Sequence, residues 1–394
     1  MPAQRLAHIS PFRVVELLER AKALEADGHR VVHLEVGEPD FPTAAPIVAA
    51  AHRALDQGET RYTQALGIPA LRRRISRYYA DSVGVDIAPE RIVVTTGASG
   101  GLLLLAALLL DPGDELLLTD PGYPCNEVFV RLVNAVPVTL PLDPAAGFAL
   151  SAQQVAAAWG DRTRGLLVAS PANPTGVMVP ASALAALAEL VRARGGFLVL
   201  DEIYQGLTFH DRGDPETGYP SGLGIVDDQF VLNSFSKYFG MTGWRLGWMV
   251  VPGWSVEPIS RLAQNLFISP PSVSQHAALA AFEAPAMAIH EQRRAAFAAR
   301  RDRLAAGLEG LGFSIPRVPD GAFYLYVDIA WTGLEATAFC WRLLEEYQVA
   351  TTPGTDFGTH DAERYVRFAY TTGDDDIDLA LARLQRALAD WGLH

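Results

Sequence analysis

Between residues 90 and 250, short apolar runs recur, each ending in a cluster of glycine, proline, serine or asparagine. They cover 91–95, 115–119, 136–140, 165–169, 197–200, 230–233 and 246–251. The runs are continuous rather than alternating, so each predicts a strand buried on both faces. Helix-like runs fill several gaps. One spans 98–110; another spans 181–194, with Pro180 ahead of it and Gly195-Gly196 behind. Strand, helix, strand in this rhythm predicts an α/β fold with a mostly parallel seven-stranded sheet covered by helices. Ligands in such sheets bind at the carboxyl ends of the strands.

Outside that region the pattern changes. Ser10-Pro11 starts a predicted helix, with apolar Val14, Val15, Leu18, Ala21 and Leu24 at helical spacing and Gly28 as the stop. A strand over 31–36 leads into Gly37-Glu38-Pro39-Asp40. Beyond about 255 helices dominate. An Ala-rich stretch over 272–308 is helical with an interruption at Pro285, strands are expected at 312–315, 321–327 and 364–370, and a helix at 376–391. The expected division is a large α/β domain over 42–289 and a smaller α+β domain built from 1–41 and 290–394.

The chain has 394 residues and a formal net charge of −13. Its longest basic run is Arg72-Arg73-Arg74, so no basic face for nucleic acid is expected. The longest apolar run, 102–110, is too short to cross a bilayer. Cys125 and Cys340 lack the spacing of a disulfide framework or a zinc site, and the first ten residues carry no hydrophobic signal region. Both point to the cytoplasm. No metal site is expected. Of 32 basic residues only Lys22 and Lys237 are lysine. Where arginine meets the general need for positive charge, a lysine invites a specific reason.

The residues that follow each strand suggest the chemistry. The first strand runs into Gly97-Ala98-Ser99-Gly100-Gly101, the second into Asp120-Pro121-Gly122-Tyr123, the fourth into Asn173-Pro174-Thr175-Gly176, the fifth into Asp201-Glu202-Ile203-Tyr204, and the sixth into Ser234-Phe235-Ser236-Lys237, with Arg245 beyond. A dinucleotide-binding turn fits poorly: the spacing is GxxGG, not GxGxxG, and Lys237, Asn173 and Arg245 are left without a role. Gly97-x-Ser99-x-Gly101 has the spacing of a hydrolase nucleophile elbow, but no later acid and histidine stand in a recognisable context. A phosphate site uses the whole set. The helix start at Ala98 and Ser99 offers free N–H groups, Ser234 and Ser236 offer hydroxyls, and Arg245 offers a bidentate guanidinium. Lys237 then places a primary amine beside that phosphate. Asp201 follows a wholly apolar strand and wants a cationic partner. A cofactor with a phosphate, an aldehyde and a ring nitrogen suits these groups: pyridoxal 5′-phosphate. Only an amine can condense with its aldehyde, which explains a lysine at 237 in a chain that otherwise favours arginine.

The sequence resembles the class I/II aminotransferases, fold type I pyridoxal-phosphate enzymes, over nearly its whole length. The resemblance is carried by Gly37-Glu38-Pro39-Asp40-Phe41-Pro42, by Tyr62-Thr63 with Gly67 and Leu71-Arg72, and by the Gly97 turn. It continues through Pro121-Gly122-Tyr123, Asn173-Pro174-Thr175-Gly176, Asp201-Glu202-x-Tyr204, Ser234-x-Ser236-Lys237 with Gly243-x-Arg245-x-Gly247, and Arg367. It implies amino-group transfer between an amino acid and a 2-oxo acid, through a Lys237 Schiff base and a pyridoxamine form of the cofactor. Asp201 would keep the pyridine nitrogen protonated, Tyr204 and Asn173 would hold the ring's phenolic oxygen, and Tyr123 would stack on the ring. Ala98, Ser99, Ser234, Ser236 and Arg245 would take the phosphate, with Tyr62 reaching it from the neighbouring subunit of a homodimer. Gly37, Asn173 and Arg367 would receive the substrate, with the small domain closing over it. A β-lyase would use the same residues. Some aspartate-preferring relatives carry a lysine where this chain has Ser99, and Leu266-Phe267-Ile268 is a candidate apolar side-chain pocket.

Overall fold

A computed structural model of the chain describes residues 3–9, 11–210, 214, 216 and 218–393. Its largest sheet has seven strands: β2 (Ile92–Thr95), β3 (Glu115–Asp120), β4 (Val136–Pro141), β5 (Thr163–Ala169), β6 (Phe197–Asp201), β7 (Phe230–Ser234) and β8 (Gly247–Val250). A short β1 (Val32–His33) precedes them. The order is β2-β8-β7-β6-β5-β3-β4, and β8 alone runs against its neighbours. The expected α/β fold with a mostly parallel seven-stranded sheet is therefore what the chain adopts.

Continuous apolar runs make such strands because each has two faces to bury. Leu116, Leu118, Val199, Leu232 and Met249 enter one core, with Leu102, Leu104 and Leu105 of α4 (Gly97–Leu109). Leu117, Leu198, Leu200, Val231 and Val250 enter the other, with Leu184 and Leu187 of α7 (Ala181–Ala193). Leu232 is fully buried. Truncating it to alanine would cost about 2–5 kcal/mol through lost transfer energy and the cavity left behind.

A second sheet is antiparallel, in the order β11 (Thr352–Pro353), β12 (Tyr365–Ala369), β9 (Tyr324–Asp328), and β1 pairs in parallel with β10 (Val349–Ala350). The first helix, α1 (Arg13–Ala26), packs on β10, β11 and α11 (Ala336–Tyr347). α10 (Ala284–Gly310) packs on α12 (Asp374–Asp390) and runs unbroken through residue 289. No helix among the described residues is long and apolar enough to cross a membrane.

Four expectations change. The helix expected from Ser10-Pro11 begins at Arg13, and Ser10 lies outside the described residues. Phe12 provides no side-chain cap; Asp356 does, accepting from the backbone N–H of Arg13 at 2.9 Å and of Val14 at 2.8 Å. The 272–308 stretch splits into α9 (Ser272–Leu279) and α10, and Pro285 sits in the first turn of α10, where its missing N–H costs nothing. The 312–315 strand is reduced to one bridge, Ser314 to Asp328. The 31–36 strand keeps only two residues, because the Glu35 carbonyl turns to the Arg367 guanidinium and the Thr352 hydroxyl, and the Val36 carbonyl to the Thr371 hydroxyl.

Candidate active site

A cavity of about 330 Å³ opens at the carboxyl ends of β5, β6 and β7. Glycines let the backbone crowd its rim. Gly97 begins α4 with φ +73°, and a Cβ there would lie 2.8 Å from Arg245 Nη2. A Cβ on Gly247 would stand 3.0 Å from Ala98 N, and one on Gly37 only 1.9 Å from the Tyr324 hydroxyl. Thr96, ahead of α4, makes no side-chain hydrogen bond to that helix's first turn. Its N–H groups stay available beside Ser234, Ser236 and Arg245, a ready anion site. Ser234 Oγ accepts from Ser236 N at 3.1 Å and donates to Ser236 Oγ at 3.0 Å, which fixes both hydroxyls.

Lys237 follows β7 by three residues and reaches back into the cavity. Its Nζ donates to the Gly37 carbonyl oxygen at 2.7 Å. Burial, then the cations Arg367 and Arg245, lower its pKa to about 8, against smaller opposing effects of Glu38 and Asp201. Asp201 ends β6 at 5 % exposure, and burial lifts its carboxyl to about 6. The N–H of Ile203, donating to Asp201 Oδ1 at 3.0 Å, and the charge of Lys237 hold that rise in check. The two shifts share a cause, since each charged form has lost water. A part-neutral amine thus faces a carboxylate poised for a cation.

Arg367, in the middle of β12, is buried. Its Nη1 donates to Asn173 Oδ1 at 2.9 Å and its Nη2 to the Glu35 carbonyl oxygen. The guanidinium carbon lies 4.2 Å from the centroid of the Tyr324 ring and 4.6 Å from that of Phe357. Its Nε is buried without a partner. A planar cation clamped between rings, with a donor unspent, suits a carboxylate chemically. Tyr204 and Tyr324 share a hydroxyl–hydroxyl hydrogen bond of 2.9 Å.

Among the expected site residues, Lys237, Asp201, Tyr204, Ala98, Ser99, Tyr123, Asn173, Ser234, Ser236, Arg245, Gly37 and Arg367 all line this cavity. Tyr62 does not; it stands 80 % exposed on the surface. Leu266 and Ile268 are about half exposed, and Leu266-Phe267-Ile268 lines no part of the cavity, so the expected apolar pocket is not built there in this chain. Sequence reasoning missed Tyr324, Thr242, Phe12, Val14, Asp356 and Phe357. Tyr324 sits in an apolar run that reads as core; its signal was a hydroxyl in that run needing a partner.

The competing sequence readings lose their residues. No histidine lines the cavity among the described residues, so Ser99 lacks a base. Asp120, the candidate ribose ligand of a dinucleotide site, accepts instead from Thr359 N at 3.0 Å, Thr359 Oγ1 at 3.2 Å and His360 N at 3.2 Å.

Residues 29–384 match the family model described as aminotransferase class I and II. The chain is 34 % identical to the (5-formylfuran-3-yl)methyl phosphate transaminase of Methanocaldococcus jannaschii, over 98 % of this chain and 100 % of that one. It is 36 % identical to the valine–pyruvate aminotransferase of Mycobacterium tuberculosis, over 96 % of each. A crystal structure of an aminotransferase from Mycobacterium tuberculosis superposes with a TM-score of 0.93 at 37 % identity, covering 99 % of both chains. The chain accordingly belongs to the class I and II aminotransferases, enzymes that use pyridoxal 5′-phosphate to move an amino group between an amino acid and a 2-oxo acid.

Proposed function

We propose that this chain holds pyridoxal 5′-phosphate in the cavity around Lys237 and acts there as an aminotransferase. The observation that carries the reading is one cavity that brings the Lys237 amine and the buried Asp201 carboxyl together with Arg245, Arg367 and the start of α4. The residues fit the cofactor. The phosphate suits the first-turn N–H groups at Ala98 and Ser99, the hydroxyls of Ser234 and Ser236, and the Arg245 guanidinium laid against Gly97. Asp201 suits the ring nitrogen, Tyr123 the ring face, and Tyr204 with Asn173 the phenolic oxygen. When bound, the cofactor supplies an aldehyde that links covalently to an amine and a cationic ring that draws electrons from the substrate's α-carbon.

The chain's own residues do the rest. Lys237 Nζ, neutral in part near neutral pH, is the amine that would hold the cofactor's aldehyde, and as a free amine it would take the proton from the substrate's α-carbon. Asp201 keeps its charge against the ring nitrogen. Arg367, braced by Asn173 and the Glu35 carbonyl, holds the α-carboxylate beside the Gly37 backbone. Residues 1–41 and 290–394 act as one body that closes on the substrate against residues 42–289.

The working unit in this reading is a homodimer in the cytoplasm. Tyr62 leaves its own cavity and serves the phosphate of the second copy; its exposure supports this. Cys125 and Cys340 are unpaired, in keeping with a reducing compartment. Borohydride reduction of the holoenzyme, followed by peptide mapping, tests the central claim. The cofactor's mass belongs on the peptide containing Lys237; finding it on Lys22, or on no peptide, overturns the reading.

A further inference from the structure

We propose that the site selects amino acids with an uncharged, apolar side chain, through a wall formed by Phe12, Val14 and Phe357. This rests on the reading above, in which Arg367 takes the substrate's α-carboxylate and Arg245 the phosphate. Among the described residues that line the cavity, the cations are Lys237, Arg245 and Arg367, and the anions are Asp201 and Asp356. Lys237 carries the covalent link and Asp201 faces the ring nitrogen. Each remaining cation has its anion assigned. No cation of this chain is left for a second carboxylate on the substrate.

Nor is an anion left free for a basic side chain. Asp356 is the one candidate, and each of its oxygens already holds a backbone N–H, so a basic side chain would have to share it. Oδ1 accepts from Arg13 N at 2.9 Å and Oδ2 from Val14 N at 2.8 Å. It thereby holds the first turn of α1 in place, and this turn carries Val14 and, just before it, Phe12. The next residue along from Asp356 is Phe357, whose buried ring also covers the Arg367 guanidinium. One short loop thus sets both the carboxylate anchor and the apolar surface beside it. A charged side chain entering there would lose its water without gaining a counter-charge from this chain, whereas an aliphatic or aromatic one gains by leaving water.

The test is a single-turnover screen of the holoenzyme, following the cofactor's visible absorbance. The donors are L-leucine, L-valine, L-phenylalanine, L-aspartate, L-glutamate and L-arginine. At least one apolar donor should exceed every charged one in second-order rate constant by roughly tenfold or more. An acidic or basic donor that matches the best apolar one overturns the proposal and leaves the aminotransferase reading standing. No conversion by any donor overturns both. A binding measurement gives a second readout without turnover: 4-methylpentanoate should compete for the site at lower concentration than glutarate, and the reverse order counts against the wall. In Val14→Arg and, separately, Phe12→Arg, the ratio of leucine to glutamate rate constants should fall by roughly tenfold. A ratio unmoved in both variants, with each still folded and binding cofactor, places the selecting surface elsewhere.

Discussion

The Nζ atom of Lys237 donates to the carbonyl oxygen of Gly37 at 2.7 Å, joining residues 200 positions apart. The contact keeps the amine inside the cavity and ties the segment after β1 to the end of β7. A Cβ at Gly37 would collide with the Tyr324 hydroxyl, so this approach also depends on glycine.

Replacing Lys237 with alanine should leave the cofactor bound through its phosphate contacts while turnover falls by several orders of magnitude, the nucleophile and proton carrier being lost together. Arginine at 237 should not restore it. In the wild-type apo chain, the rate of covalent attachment should rise with pH, reach its midpoint at about 8, where half the amine is neutral, and level off above that. Stopped-flow absorbance reads this directly. Turnover within tenfold of wild type in Lys237→Ala would remove the residue from the mechanism.

Asp201→Ala should slow exchange of the substrate's α-deuterium with solvent by roughly a hundredfold or more, because the charge that favours a cationic ring is gone. Mass spectrometry of the recovered amino acid measures the exchange. An unchanged rate, with cofactor retained, would mean that Asp201 does not face the ring nitrogen.

For Arg367→Lys the expected effect is on the substrate. A charge-assisted pair of hydrogen bonds is worth about 1.5–3 kcal/mol, so KM for the amino acid should rise about 10- to 150-fold. Cofactor retention after dialysis should be unaffected. Equal losses of both would make the residue structural.

Stability should carry a pH signature from His33. Its Nδ1 lies 2.7 Å from Glu35 Oε1, a carboxylate that is fully buried, and its Nε2 lies 3.2 Å from Glu25 Oε1. The hydrogen bond to Glu35 leads in raising the folded pKa to about 9 from 6.5, with burial opposing. A raised pKa stabilises the folded state fully below about 6.5, and the benefit drains away as pH climbs through about 9. Thermal melts across pH 6 to 10 should show this loss in wild type and a flatter profile in His33→Asn. Parallel profiles would deny the pair any part in stability.

Mixing two altered chains probes the shared site. Tyr62→Ala alone should retain cofactor less well, having lost one charge-assisted hydrogen bond. If Tyr62 serves the second copy, heterodimers of Lys237→Ala with Tyr62→Ala contain one doubly altered site and one native site. Native-like turnover should then reappear in half the sites. Mixtures that recover nothing would place Tyr62 within its own subunit.

The large sheet was legible because its strands bury two faces and so read as unbroken runs such as Leu116-Leu117-Leu118. Lys237 was legible because the chain otherwise uses arginine almost everywhere. What escaped was whatever long-range contacts decide. The cap of α1 comes from Asp356, which no local pattern around Phe12 announces. The strand expected over 31–36 has the right residues, yet its later carbonyls serve Arg367 and the Thr371 hydroxyl rather than a ladder. Tyr324 looks like core in its run, and only the fold shows that its hydroxyl meets Tyr204 and crowds Gly37.

The hydrogen bond from Arg367 to the Glu35 carbonyl spans 332 positions. During synthesis the ribosome releases Glu35 early and Arg367 near the end, so the anchor for the substrate cannot form until almost the whole polypeptide has emerged. A nascent chain can complete its seven-stranded sheet, and close the phosphate cup around Gly97 and Arg245, well before that moment. Under the proposed function, the landing place for the cofactor's phosphate would come before that for the amino acid. Assembly of the enzyme in that reading has an order: cofactor capture first, competence for substrate last.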